Sequence, residues 1–157
     1  MLTINEATVA RAWNVQGDTQ RLGLPMPVAP GSVARNDRDC AMWLGPRSWL
    51  VFADRVDVSD GAAFDVSASR VGWTVDGANA VSVLAKHCAL DLVTFAPGSC
   101  AQSLFGQVNA LYYRHANRGA FTLFVARSFA EDVLHHLARS AAQYGYELIA
   151  PRPFIAD

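Results

Sequence analysis

Residues 40–53 read CAMWLGPRSWLVFA, two apolar runs separated by Gly45-Pro46-Arg47-Ser48. Pro46 presets φ for the second position of a β-turn, so the segment is predicted as a hairpin with strands at 40–44 and 49–53. Trp43, Trp49 and Phe52 place large side chains so that both faces of the hairpin are apolar. Such a sheet needs cover on both sides, from helices or from a partner chain. With 157 residues, the chain suits one compact domain, or two small halves sharing a core.

The rest of the chain alternates in the same way. Val71, Trp73 and Val75 share one face of a strand at 70–75. Residues 100–105 and 108–114 are two strands joined at Gly106-Gln107. In 121–126 Phe121, Leu123 and Val125 face one way, and Phe124 and Ala126 the other. A first strand is expected at 8–15, closed by Gly17-Asp18. Pro25, Pro27, Pro30 and Gly31 keep 22–36 extended or looped, because proline lacks a backbone donor; Leu24, Met26 and Val28 can still pack. The acidic residues of 54–63 mark a solvated connection. One helix is expected at 78–87, with Asp76 as its N-cap. A second starts at a capping box, Ser128 to Glu131, and carries the stripe Phe129, Val133, Leu137, Ala141. Gly145 stops it in a left-handed conformation, and Tyr146 and Leu148 lead into an edge strand. The order predicts an α+β fold with mostly antiparallel pairing. Residues 49–53 and 121–126 echo one another weakly, each closing a hairpin.

Composition narrows the function. The apolar fraction of 52% is too high for a disordered tail, and the 17% charged too low for an ion-laced coiled coil. A formal net charge of -1, with no basic run, argues against nucleic acid. No apolar run is long enough to span a membrane. Cys40, Cys88 and Cys100 show no CxxC spacing and read as reduced thiols of a cytoplasmic protein.

No phosphate loop, dinucleotide fingerprint or serine elbow is present. His135 and His136 are adjacent on a helix and diverge by about 100°, so Glu131–His135 and Asp132–His136 read as surface pairs, not ligands. His87 and Cys88 diverge likewise, and His115 meets Cys88 or Cys100 only by tertiary accident. Asp65 and Asp91 lie in apolar settings and are the two candidate bases; the competing reading is a carboxylate capping its own turn. No catalytic, cofactor or metal residue is assigned. Trp13, Trp43, Trp49 and Trp73 exceed what two helices can cover, which points to a permanent protein partner. Trp13, Trp43, Arg47 and Trp49 are the expected interface residues.

Several segments, taken in order, resemble one family: residues 41–51 around Trp43-Leu44-Gly45-Pro46, Phe64-Asp65-Val66-Ser67, residues 87–92 (HCALDL), residues 97–102 (PGSCAQ) and residues 125–130 (VARSFA). This pattern, covering about 13–144, is similar to the gamma subunit of heterotetrameric sarcosine oxidase. The resemblance implies a fold like the folate-binding domain of glycine cleavage aminomethyltransferase, with two intertwined ferredoxin-like halves, about 1–76 and 77–157. It implies a non-catalytic chain packed against an alpha flavoprotein subunit, with beta and delta subunits completing the complex. FAD, FMN, NAD and tetrahydrofolate would belong to those partners, and the reaction is oxidative demethylation of sarcosine to glycine. His87 and Ala89 stand where the family often has glycine and proline, and 54–63 is shortened. The gamma chain of N-methylglutamate dehydrogenase is similar, and a folate-binding aminomethyltransferase-like protein is the alternative from another class.

Overall fold

The computed structural model describes residues 1–18, 24–58 and 60–157. Residues 22 and 23 of the proline-rich stretch therefore lie outside the described residues. The strands are β1 (Leu2–Thr8), β2 (Ala12–Asp18), β3 (Val33–Arg35), β4 (Cys40–Gly45), β5 (Ser48–Phe52), β6 (Asp60–Asp65) and β7 (Arg70–Asp76). After α1 (Ala80–Leu84) come β8 (Cys100–Phe105), β9 (Val108–Arg114) and β10 (Phe121–Ala126). Then follow α2 (Ala130–Ala141), β11 (Tyr146–Leu148) and β12 (Arg152–Pro153).

Two sheets result. The larger has the order β11-β1-β7-β10-β9-β8, with β12 also paired to β1; the smaller has the order β3-β4-β5-β2-β6. All pairs are antiparallel except those of β1 with β11 and β12. β1 and β7, from the first half of the chain, lie in the same sheet as β8, β9 and β10 from the second. The fold is α+β, as the element order predicts.

Alternation along the strands separates three apolar cores. One face of the larger sheet (Ile4, Val75, Leu123, Tyr112) packs under the helices with Val83, Leu84, Val133 and Leu137. Its other face (Phe124, Leu111, Tyr113, Cys100) meets Met42, Leu50, Cys40 and Ala12 of the smaller sheet. The outer face of the smaller sheet carries Val15, Ala41, Trp49 and Val51, covered by Leu24, Met26, Val56 and Val58. The hairpin is thus covered on both faces, but by a second sheet and two extended segments in place of helices.

The strands at 40–52, 70–76, 100–114, 121–126 and 146–148 form where alternation places them. Several expectations are corrected. The first strand is not 8–15: the chain crosses between sheets at 9–11, so β1 and β2 belong to different layers. The connection at 54–63 ends in β6, an edge strand paired only with β2 and too exposed for an apolar pattern to mark it. α1 is a short helix, because Asp76 is still in β7, opposite Thr3, and cannot cap it; Asn79 precedes the helix without a side-chain cap. Ser128 caps nothing. It lies inside a 3-10 turn, Arg127–Phe129, whose 120° per residue carries Phe129 off the α2 stripe and leaves it 48% exposed. Arg127 pins that turn, Nε donating to the Ala68 carbonyl at 2.6 Å. Val28, expected to pack, is 84% exposed. Gly145 has φ 70 but ψ 131, so it ends the helical run with positive φ and an extended ψ.

Leu137→Ala should cost about 2–5 kcal/mol in denaturant unfolding, since Leu137 is fully buried. Ser128→Ala should lie within about 0.5 kcal/mol of the parent, because no cap is lost.

Candidate functional site

The residues expected at an interface cluster on the outer face of the smaller sheet and at its hairpin tip. Trp49 is buried, its indole N–H donating to the Pro27 carbonyl at 2.7 Å. Trp13 is half-buried, donates to the Ala53 carbonyl at 2.9 Å and has the Arg11 guanidinium 5.3 Å from its ring centre. Trp43, also half-buried, stands opposite Trp49 in the β4–β5 pair. Trp73 lies elsewhere, on the helix-facing side of the larger sheet, donating to the Ala130 carbonyl at 3.0 Å. Much of the tryptophan surplus is therefore absorbed by the chain's own core. Arg47, exposed at the tip, has φ 58, the only non-glycine with positive φ among the described residues. Its carbonyl accepts from the Gly17 N–H at 2.9 Å.

The two carboxylates considered as bases are both exposed turn caps. Asp65 accepts from the Ser67 hydroxyl at 2.6 Å and the Ser67 N–H at 3.0 Å, with Arg11 at 3.7 Å. Asp91 accepts from the N–H groups of Val93 and Thr94 at 3.1 and 3.4 Å. The Ser67 hydroxyl and N–H at Asp65, and the Thr94 hydroxyl with the Thr94 and Val93 N–H groups at Asp91, hold both carboxyls below the usual aspartate range. Two of the three thiols are quiet: burial pushes Cys40 up to about 12 and Cys100 up to about 11. His87 is a structural link, its Nε2 2.6 Å from the Ser140 hydroxyl and its ring stacked 4.5 Å from Phe105. His136 pairs with Asp132 at 3.7 Å, as the i, i+4 spacing predicts. Among the described residues no three His, Cys, Asp or Glu side chains are grouped to hold a metal ion.

The cluster that sequence reasoning missed is a chain of buried polar groups crossing the larger sheet. Asn5, Thr74 and Thr122 are neighbours in register on β1, β7 and β10, and all are buried. The Thr74 and Thr122 hydroxyls are 2.7 Å apart, and the Thr122 hydroxyl is 2.9 Å from His115 Nε2. His115 Nδ1 is 2.6 Å from the Asp157 carboxylate, and the Tyr113 hydroxyl donates to the Asp157 carbonyl at 2.7 Å. No local signal could reveal it, because His115 finds Asp157 across 42 residues and neither lies in a motif.

A separate groove of about 880 Å³ runs along the β8–β9 hairpin. Its polar lining includes Arg70, Gln102, Gln107 and Asn109, beside Leu104 and Phe129, which are each 48% exposed. It contains no carboxylate.

Burial, and then the Arg118 guanidinium, hold His115 below the usual histidine range, against the opposing pull of Asp157. The fold therefore favours the neutral ring, and the unfolded chain binds the proton more readily. Stability from this group is complete above the unfolded value of 6.5 and is lost as pH falls through the depressed folded value. The melting temperature should fall between pH 7 and 5. In His115→Gln that slope should flatten, leaving the smaller contribution of His87, which burial also depresses.

No family model matches the sequence, and no curated protein matches it. Solved structures do. A chain of heterotetrameric sarcosine oxidase from Corynebacterium sp. U-96, in complex with pyrrole 2-carboxylate, superposes with a TM-score of 0.82 at 21% identity. The match covers 95% of this chain and 88% of that one. Glycine cleavage system aminomethyltransferase T from Bartonella henselae gives a TM-score of 0.69 at 13% identity, over 94% of this chain and 47% of that one. This chain thus spans about half the length of the aminomethyltransferase, and it has the α+β fold that these two proteins share.

Proposed function

We propose that this chain is a non-catalytic, gamma-type subunit of a sarcosine-oxidase-type flavoprotein complex, packed against a large alpha-type subunit. The observation that carries this reading is the length of the match. Two chains of similar size correspond over 95% of one and 88% of the other, whereas a large multidomain flavoprotein would be covered only in part. The buried ionisable groups support it too, since His115, Cys40 and Cys100 are taken up by the fold's own hydrogen bonds and burial. In this reading the complex oxidatively demethylates sarcosine to glycine in the cytoplasm. Flavins, NAD and tetrahydrofolate sit in the alpha and beta chains, and a delta chain completes the assembly.

The contact surface is the hairpin tip and the half-buried tryptophans beside it: Trp13, Trp43 and Arg47, with Trp49 as buried support. Arg47→Gly should weaken the complex. Co-expression with the flavoprotein alpha subunit of a sarcosine oxidase should give one species in gel filtration. The chain alone should be colourless and consume no oxygen with sarcosine. Separate elution of the two chains overturns the proposal, and preferential co-elution with the large subunit of an N-methylglutamate dehydrogenase changes the amine.

The aminomethyltransferase likeness favours a second reading, a folate-binding protein. A pterin ring needs a carboxylate against its donor edge. The groove along β8–β9 has none, and the carboxylate of Asp91, one of the two candidate acids, is occupied by its own turn. Calorimetry with tetrahydrofolate should give no saturable heat. Binding that Asp91→Asn abolishes would favour the folate reading.

A further inference from the structure

A cavity of about 320 Å³ opens where β1, β7 and the loop after β9 meet the closing segment of the chain. Asn5 and Thr74 line its floor; they are 7% and 3% exposed and stand directly opposite one another in the β1–β7 pair. Arg118 and Arg152, both exposed, line its mouth, and Phe154 and Ile155 form an apolar wall. No carboxylate is part of the lining.

The hydrogen bonds fix what the floor offers. Asn5 Nδ2 donates to the Glu6 carbonyl at 2.9 Å; a carbonyl only accepts, so the amide orientation is determined and Oδ1 has no partner among the described residues. His115 Nδ1 lies 2.6 Å from the Asp157 carboxylate, which only accepts, so in the neutral ring Nδ1 carries the proton and Nε2 is the acceptor. It follows that the Thr122 hydroxyl donates to Nε2, and the Thr74 hydroxyl donates to Thr122. Thr74 Oγ1 then has only lone pairs left for the cavity. At the mouth, Arg118 is partly engaged by Asp76 at 3.3 Å and Asp157 at 3.9 Å, whereas Arg152 has no partner among the described residues.

Two acceptors at the bottom, guanidinium groups at the opening and an apolar wall between them match one chemical class. We propose that this cavity binds a free α-amino acid with a small apolar side chain. Its ammonium meets Asn5 Oδ1 and Thr74 Oγ1, its carboxylate meets Arg152 with help from Arg118, and its side chain lies against Phe154 and Ile155. The site is complete within this chain, so it goes beyond the subunit reading and stands or falls apart from it.

Calorimetry on the isolated full chain with three probes tests the assignment: L-valine, isovalerate (no ammonium) and isobutylamine (no carboxylate). Valine should bind saturably in the millimolar range or below, and each truncated probe about tenfold more weakly or worse. Arg152→Gln, at an exposed position, should keep the parent melting temperature. It should weaken valine about tenfold and leave isobutylamine unchanged. Absence of saturable valine binding, isovalerate binding as tightly as valine, or unchanged valine affinity in Arg152→Gln would each overturn the proposal.

Discussion

The architecture depends on one close approach, the ring of Phe124 against Gly72. The two residues face each other across the β10–β7 pair. A Cβ at position 72 would lie 2.9 Å from that ring and 3.0 Å from the Cβ of Ala7, so only glycine leaves the ring where it is. From there Phe124 reaches Phe52 of the smaller sheet at 5.1 Å and Phe154 of the closing segment at 4.9 Å, and those two are 4.9 Å from each other. Three separate parts of the chain thus meet at one aromatic cluster. Displacing Phe124 would loosen both the contact between the layers and the segment that brings Asp157 to His115.

Legibility from sequence followed the strength of the local pattern. Strands buried on one or both faces, such as β4, β5, β7 and β10, alternate clearly and were readable. β6 was not, because an edge strand with both faces largely exposed has no apolar period to display. β1 was hidden for a related reason: Leu2 and Ile4 alternate with Thr3 and Asn5, but Asn5 is buried against another polar residue, and polarity then misleads. The Ser128–Glu131 spacing fits a capping box, yet the box needs an extended residue at the cap, and the chain leaves β10 through a helical turn. Of the candidate site, the hairpin tip and its tryptophans were visible. The Asn5–Thr74–Thr122–His115–Asp157 chain was not, since sheet register brings the first three together and the closing segment brings Asp157 to His115.

The two recesses of the molecule differ in kind. The groove along β8–β9 is wide, neutral in its polar lining apart from Arg70, and flanked by exposed Leu104 and Phe129. The cavity beneath the closing segment is smaller and chemically graded, with acceptors within and positive charge outside. In the cavity the internal hydrogen-bond directions, more than shape, decide what can be accepted. The neutral His115 ring sets those directions, so the titration that limits stability below pH 6.5 also governs the polarity of the cavity floor.

The placement of β1 has a consequence for how the molecule assembles. Its neighbours β7 and β11 begin at residues 70 and 146, so the first strand emerges from the ribosome long before either edge can be satisfied. Until then its backbone donors and acceptors remain available to any other extended chain. Contacts of such large sequence separation slow folding, and nascent chains of this topology gain from a chaperone during synthesis.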